Sequence, residues 1–178
     1  FCNGVRLTSE EALPLIEQAS LGVAQRIMSH LTASGLSGIQ GNWILARSMG
    51  VINGIDYMRT GRIERIQRDL LEQLMNEGFV PIIPPIGWNK IGHAYNISST
   101  ELATELCKYL QVGKLFFIGS QSGIKLEGLV TGKNTKYLEP TDNGLISAMD
   151  VDQAKELLEL NSDVLAFAQM EIEDRKSV

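Results

Sequence analysis

Two runs of strand length, Phe79-Val80-Pro81-Ile82-Ile83 and Lys114-Leu115-Phe116-Phe117-Ile118, constrain the fold more than any other feature of the chain. A strand without polar alternation is patterned for burial on both faces, as in sheets covered by helices on either side. Between the runs lies an amphipathic helix. Ser98-Ser99-Thr100-Glu101 opens it as a capping box, Leu102, Leu106 and Leu110 form its apolar face, and Gly113 ends it. Strand, helix and strand with short connections imply an α/β fold with a mainly parallel sheet. The 178 residues fit a single domain, 1–178, with a sizeable core.

Upstream, Thr8-Ser9-Glu10-Glu11 reads as another capping box. Ala12, Ile16, Ala19, Val23, Ile27 and Leu31 then recur at steps of three or four, which predicts one buried helical stripe. Pro14 lacks a donor and moves the expected start towards Leu13; Gly35 and Gly38 break the helix. Trp43 to Arg47 reads as a strand. Asn53-Gly54 between Val51-Ile52 and Ile55 predicts a type I′ hairpin. Thr60-Gly61 is a second turn, leading into the alternating Arg62-Ile63-Glu64-Arg65-Ile66. A helix over Asp69 to Glu77 closes at Gly78, in the left-handed cap position. The polar stretch from Gly128 to Gly144 reads as a hairpin or loop. Asp150-Val151-Asp152 caps a helix through Leu160, and Asp163 to Glu173 is patterned as a last helix.

Composition narrows the function classes. The formal net charge of -5 opposes nonspecific nucleic-acid binding, which needs a basic face. Arg59, Arg62, Arg65 and Arg68 recur every third position, but Glu64, Asp69 and Glu72 interrupt them, giving a solvated surface of mixed charge. The longest apolar stretch, Phe79 to Gly87, is too short for a bilayer and contains three prolines. Two distant cysteines, Cys2 and Cys107, and two histidines make no structural zinc pattern, so free thiols and no metal are expected. The first residues lack the basic-then-apolar pattern of a leader, and a cytoplasmic protein is the expectation. The chain opens on Phe1-Cys2, at once in motif-like sequence, as an internal piece of a longer protein would.

No GxSxG, HExxH or GxxxxGK[ST] pattern occurs. Gly50-Val51-Ile52-Asn53-Gly54 and Gly119-Ser120-Gln121-Ser122-Gly123 have the make-up of phosphate-approaching loops, although two glycines four apart are weak evidence and plain turns account for them better. His30 and His93 give no clear catalytic base. The stronger lead is a pair of polar turns, Asn3-Gly4-Val5-Arg6-Leu7-Thr8 and Tyr95-Asn96-Ile97-Ser98, each feeding a helix. Unpaired N–H groups at a helix start attract anions. One turn adds the Arg6 guanidinium, a bidentate partner for a carboxylate, and the other adds the Asn96 amide. Gly4, Arg6, Asn96 and Ser98 are thus the candidate ligand set. The plainer alternatives are an Arg6 ion pair within the protein and an Asn96 that shapes its own turn.

Taken in order, the NGVRLT segment, Gly41-Asn42-Trp43, Gly50-Val51-Ile52-Asn53-Gly54-Ile55-Asp56-Tyr57, Thr60-Gly61 and Tyr95-Asn96-Ile97 through Ala103-Thr104 resemble the amino-acid kinase family. The GN(F/W), GVxxGxDY and TGxxxxI elements resemble the kinase-like domain of the N-acetylglutamate synthases more than the acetylglutamate kinases. The likeness runs from about Asn3 to Ile124. It implies a three-layer α/β sandwich around a mainly parallel sheet, here incomplete. It also implies that Arg6 and Asn96 occupy positions that bind acetylglutamate carboxylates in the kinases.

The departures matter as much. A catalytic Asp of the kinases falls at Thr100, and their nucleotide-loop Asp at Ser120, within a Gly119-Ser120-Gly123 nucleotide-loop-like segment. A second catalytic lysine near the C-terminus is missing, and the kinases' first strand, with its lysine and glycine pair, belongs upstream. Phosphoryl transfer without charged organisers loses most of its electrostatic stabilisation. The resemblance therefore implies a catalytically inactive, arginine-sensing and oligomerising module that needs no cofactor of its own. In such synthases a separate domain moves acetyl from acetyl-CoA to glutamate. Two alternatives stand beside it: an acetylglutamate kinase using ATP and magnesium, and a ligand-free scaffold that binds copies of itself. The expected partners are arginine, glutamate or N-acetylglutamate and a second copy of the chain, with neither nucleic acid nor membrane.

Overall fold

The computed structural model describes residues 5–118 and 123–162. The chain divides into two compact units, Phe1–Leu115 and Phe116–Val178. In the first unit the order is α1 (Ala12–Ala33), β1 (Ser37–Gln40), β2 (Ile44–Ser48), β3 (Val51–Ile52), β4 (Ile55–Asp56), β5 (Gly61–Ile66), α2 (Arg68–Asn76), β6 (Phe79–Ile82), β7 (Ile86–Trp88), β8 (Ala94–Asn96) and α3 (Ser99–Leu110).

Among the described residues the strands form three sheets. β1 and β6 pair in parallel, from Ser37 opposite Phe79 to Gln40 opposite Ile82. A four-stranded sheet has the order β5-β2-β7-β8, parallel between β2 and β7 and antiparallel at the other two pairings. A parallel bridge between Thr60, just before β5, and Asn96, at the end of β8, joins the two outer strands of that sheet. The sheet is therefore curled shut at one end. β3 and β4 form the expected hairpin, with Asn53 at φ +52° and Gly54 at φ +79° as a type I′ turn demands.

Trp43, Ile44, Ala46, Ile66, Leu71, Tyr95, Ile97 and Leu102 make the core of this unit, with Leu74, Leu106 and Leu110 packed against it. Gly61 sits where a strand must approach closely: a Cβ there would lie 2.5 Å from the Tyr95 Cβ. The α/β class with parallel pairings stands as read from the sequence, and the sheet is incomplete among the described residues.

Several expectations are corrected. Lys114 to Ile118 is not a buried strand: it carries no strand pairing among the described residues, and Phe116 and Ile118 are 77% and 99% exposed. An apolar run becomes a strand only where a neighbour offers backbone groups, and no described strand lies beside this one. Phe79 to Ile82 does form a strand, but it is half-buried for most of its length because β1 is its only strand partner among the described residues. On α1 the buried side is set by Leu13 and Ala24, whereas Ala19, Val23 and Ile27 face outwards. The helix thus has apolar residues on more than its core face. α3 ends with Gln111 in the left-handed conformation, two residues before Gly113.

In the second unit α4 (Val151–Leu160) starts at the predicted cap. The Gln153 amide N–H donates to the Asp150 carboxylate at 2.8 Å, and the Asp150 N–H donates to the Gln153 side chain at 2.9 Å. Antiparallel bridges at Lys125–Leu145 and Pro140–Ile146 order the polar stretch before it. Glu156 ties that stretch to α4, accepting from the Thr135 hydroxyl (2.9 Å) and from the N–H groups of Thr135 (2.8 Å) and Asn134 (2.9 Å). Burial pushes the Glu156 carboxyl up, but these bonds outweigh it and hold the group below the usual glutamate value. The helix expected over 163–173 lies outside the described residues.

Candidate functional site

The two polar turns singled out in the sequence meet. The segment after Arg6 lies parallel to the link between β4 and β5 through a bridge from Thr8 to Met58. Met58 adopts the left-handed conformation, φ +47°, and its N–H donates to the Asp56 carboxylate at 2.9 Å. The Arg59 N–H then donates to the Thr8 carbonyl at 2.9 Å, and the Asn96 N–H donates to the Arg59 carbonyl at 2.9 Å. Three chain segments are thereby laced together at the closed end of the sheet.

Two buried threonines complete the lacing. The Thr60 hydroxyl donates to the Arg6 carbonyl at 2.8 Å and accepts the Thr8 N–H at 3.0 Å. The Thr8 hydroxyl accepts a proton of the Asn96 carboxamide at 2.9 Å. Thr8 is 0% and Thr60 3% exposed. The main chain of Arg6 and the carboxamide of Asn96, the two strongest candidates, are therefore brought to one place by intervening hydroxyls. The Arg6 side chain is exposed and Asn96 half-buried.

This changes the reading of Thr8. It does not cap α1; the Ser9 hydroxyl accepts the Ala12 N–H at 3.2 Å instead. The expected Thr8–Glu11 box is not formed: Glu11 stands at the N-cap with no side-chain cap, and the Thr8 hydroxyl accepts from Asn96. Ser98 caps α3 and accepts the Glu101 N–H at 3.4 Å, so its hydroxyl is engaged within the helix start. Gly4, Gly119 and Ser120 lie outside the described residues. Gly123 is described, in the second unit, at φ +132°. His93 is an exposed loop residue whose N–H donates to the Asn89 side chain, and His30 lies exposed in the last turn of α1.

Arg59 is the residue that sequence reading passed over as surface charge. Its Nε contacts both carboxylate oxygens of Glu10, at 2.7 and 2.8 Å, which raises its pKa above the ordinary arginine value. Its guanidinium also stands 5.8 Å from the centre of the Tyr95 ring. The TG dipeptide was the available signal for Thr60, but it reads as a turn and hides the bridge. The closed end thus gathers the Arg6 main chain, the Asn96 carboxamide and the start of α3. Among the described residues no group of three or more His, Cys, Asp or Glu is placed to hold a metal ion, and no helix is long and apolar enough to cross a membrane.

Residues 2–178 match the model of the amino acid kinase family. The chain is 34% identical over 143 residues to an amino-acid acetyltransferase of Photobacterium profundum, covering 75% of this chain and 32% of that protein. The corresponding protein of Escherichia coli (strain K12) is 30% identical over 133 residues, covering 70% and 30%. The chain thus spans about a third of the length of these relatives. Among solved structures, N-acetylglutamate synthase from Neisseria gonorrhoeae complexed with coenzyme A and N-acetyl-glutamate shares the fold, with TM-score 0.80 at 24% identity, over 99% of this chain and 38% of that one. The same enzyme complexed with coenzyme A and L-arginine gives TM-score 0.78 at 23% identity, over 97% and 39%.

Proposed function

Because this chain belongs to the amino acid kinase family, we propose that it is the kinase-like regulatory domain of an N-acetylglutamate synthase in arginine biosynthesis, itself without catalytic activity. It binds arginine or an acylated glutamate through Arg6 and Asn96 at the closed end of the four-stranded sheet. The observation that carries this is the Thr8–Thr60 lacing, which sets a guanidinium-bearing segment and a carboxamide side by side beside the start of α3. The names of the relatives support the pathway, and the complexes of the gonococcal synthase support the ligand class.

Thr100 supports the loss of catalysis. It lies in the first turn of α3, where the resemblance expects a kinase aspartate, and a neutral hydroxyl cannot organise charge as a carboxylate does. Acetyl transfer from acetyl-CoA to glutamate then belongs to a separate domain of the longer parent. We also assign assembly to α1, whose outward apolar residues Leu15, Val23 and Ile27 recur at steps of four and eight and fit a second copy of the chain.

The test is a thermal melt of the 178-residue chain with millimolar L-arginine, N-acetylglutamate, or N-acetylglutamate with ATP and magnesium. Ligand at about a hundred times its Kd adds roughly 2.7 kcal/mol, a plainly raised midpoint. A rise with arginine or N-acetylglutamate alone supports the reading. A rise that requires ATP as well overturns it in favour of a kinase.

A further inference from the structure

The hydroxyls of Thr8 and Thr60 do more than satisfy a buried turn. We propose that they are the positioning residues of this site, fixing where the Arg6 main chain runs and which way the Asn96 carboxamide points. The inference rests on the ligand reading above for its functional meaning, but its geometric content stands on its own.

Thr60 is fully engaged. Its hydroxyl proton goes to the Arg6 carbonyl and its oxygen takes the Thr8 N–H, so one side chain sets both the start and the direction of the segment that carries Arg6. Thr8 reads the other wall of the site. Its hydroxyl oxygen takes one of the two protons on Asn96 Nδ2, which fixes the amide plane. The Asn96 Oδ1 is then turned away from Thr8, and the amide presents a defined acceptor and one remaining donor. Both threonines are buried, so water has little access to their hydroxyls. The Thr60–Asn96 bridge and the Asn96 N–H bond to Arg59 hold the backbone beneath the same amide. Without the Thr8 bond the half-buried Asn96 amide would sample more than one rotamer, and an anion would have to order it on binding, at a cost in affinity.

Valine keeps the shape of threonine and removes the hydroxyl, whereas serine keeps the hydroxyl and removes a methyl group. The experiment therefore compares Thr8→Val, Thr8→Ser, Thr60→Val and Thr60→Ser with the unaltered chain by two readouts. The first needs no ligand: 15N–1H spectra of the Asn96 side-chain NH2 pair, identified by its loss in Asn96→Ala. The second is calorimetric titration with L-arginine and with N-acetylglutamate, each far below the melting temperature.

We expect Thr8→Val to shift the Asn96 NH2 pair and Thr8→Ser to restore it. We expect both valine variants to weaken the binding ligand by about tenfold, the scale of one hydrogen bond, while both serine variants stay within about twofold. An Asn96 NH2 pair unmoved by Thr8→Val overturns the proposal. So does an equal loss of affinity in the serine and valine variants, which marks a packing role only. If neither ligand binds the unaltered chain while the NH2 pair still responds to Thr8→Val, the orientation of Asn96 by Thr8 is upheld and the ligand assignment falls.

Discussion

Asn96 and Thr8 stand 88 positions apart in the sequence and are joined by a 2.9 Å hydrogen bond from carboxamide to hydroxyl. The bond brings the turn before α1 to the turn before α3. It makes the site a product of the whole first unit, since neither turn has the other within reach until the four-stranded sheet has closed.

Arg6 supplies the charge of the proposed site. Arg6→Ala removes a charge-assisted, two-pronged contact worth about 1.5–3 kcal/mol, so ligand affinity should fall roughly ten- to hundredfold. Titration calorimetry with the ligand that raises the melting point measures this directly. Unchanged affinity would remove Arg6 from the site.

Gly61→Ala tests the closure of the sheet. The added Cβ meets the Tyr95 Cβ at 2.5 Å and the Arg47 carbonyl at 3.3 Å, the first in the buried core and the second on the neighbouring strand β2. Overpacking of this kind costs about 1–3 kcal/mol. Circular-dichroism melts should show a drop of several degrees or more.

Glu156 gives the second unit a pH signature. Its folded-state pKa lies below the ordinary glutamate value of 4.5. The charged form is therefore favoured by folding, and its contribution is fully present above about pH 4.5 and lost as pH falls through the folded-state value. Glu156→Gln should be less stable than the unaltered chain at neutral pH, with the gap narrowing below about pH 4.5. A gap that widened on acidification would reverse the sign of the argument.

The outward face of α1 bears on assembly. Val23→Lys together with Ile27→Glu should shift the chain towards monomer in sedimentation velocity and leave its helical content intact, because both side chains are already exposed. An unaltered sedimentation profile would remove this helix from any interface between copies.

Much of the local structure was legible because its causes are local. The Asn53-Gly54 hairpin follows from two residues that tolerate positive φ, and the starts of α3 and α4 follow from caps that act over three positions. The failures share a cause too. Thr8 looked like a cap because a sequence displays its neighbour three residues on and conceals its partner at Asn96. Lys114 to Ile118 looked like a strand because hydrophobicity is visible in a sequence and the presence of a pairing edge is not. Arg59 fell into a three-residue rhythm of arginines, and only the fold shows that Glu10 and Tyr95 single it out.

The Thr60–Asn96 bridge has a kinetic consequence. The amide protons of Thr8, Arg59 and Asn96 are each bonded to another member of the same ring, through Thr60 Oγ1, the Thr8 carbonyl and the Arg59 carbonyl. None of these protons can reach solvent by fraying of a single strand end. They should exchange with deuterium at one shared opening rate, as a single clasp that is either shut or undone. An occupant that keeps the clasp shut would slow all three together.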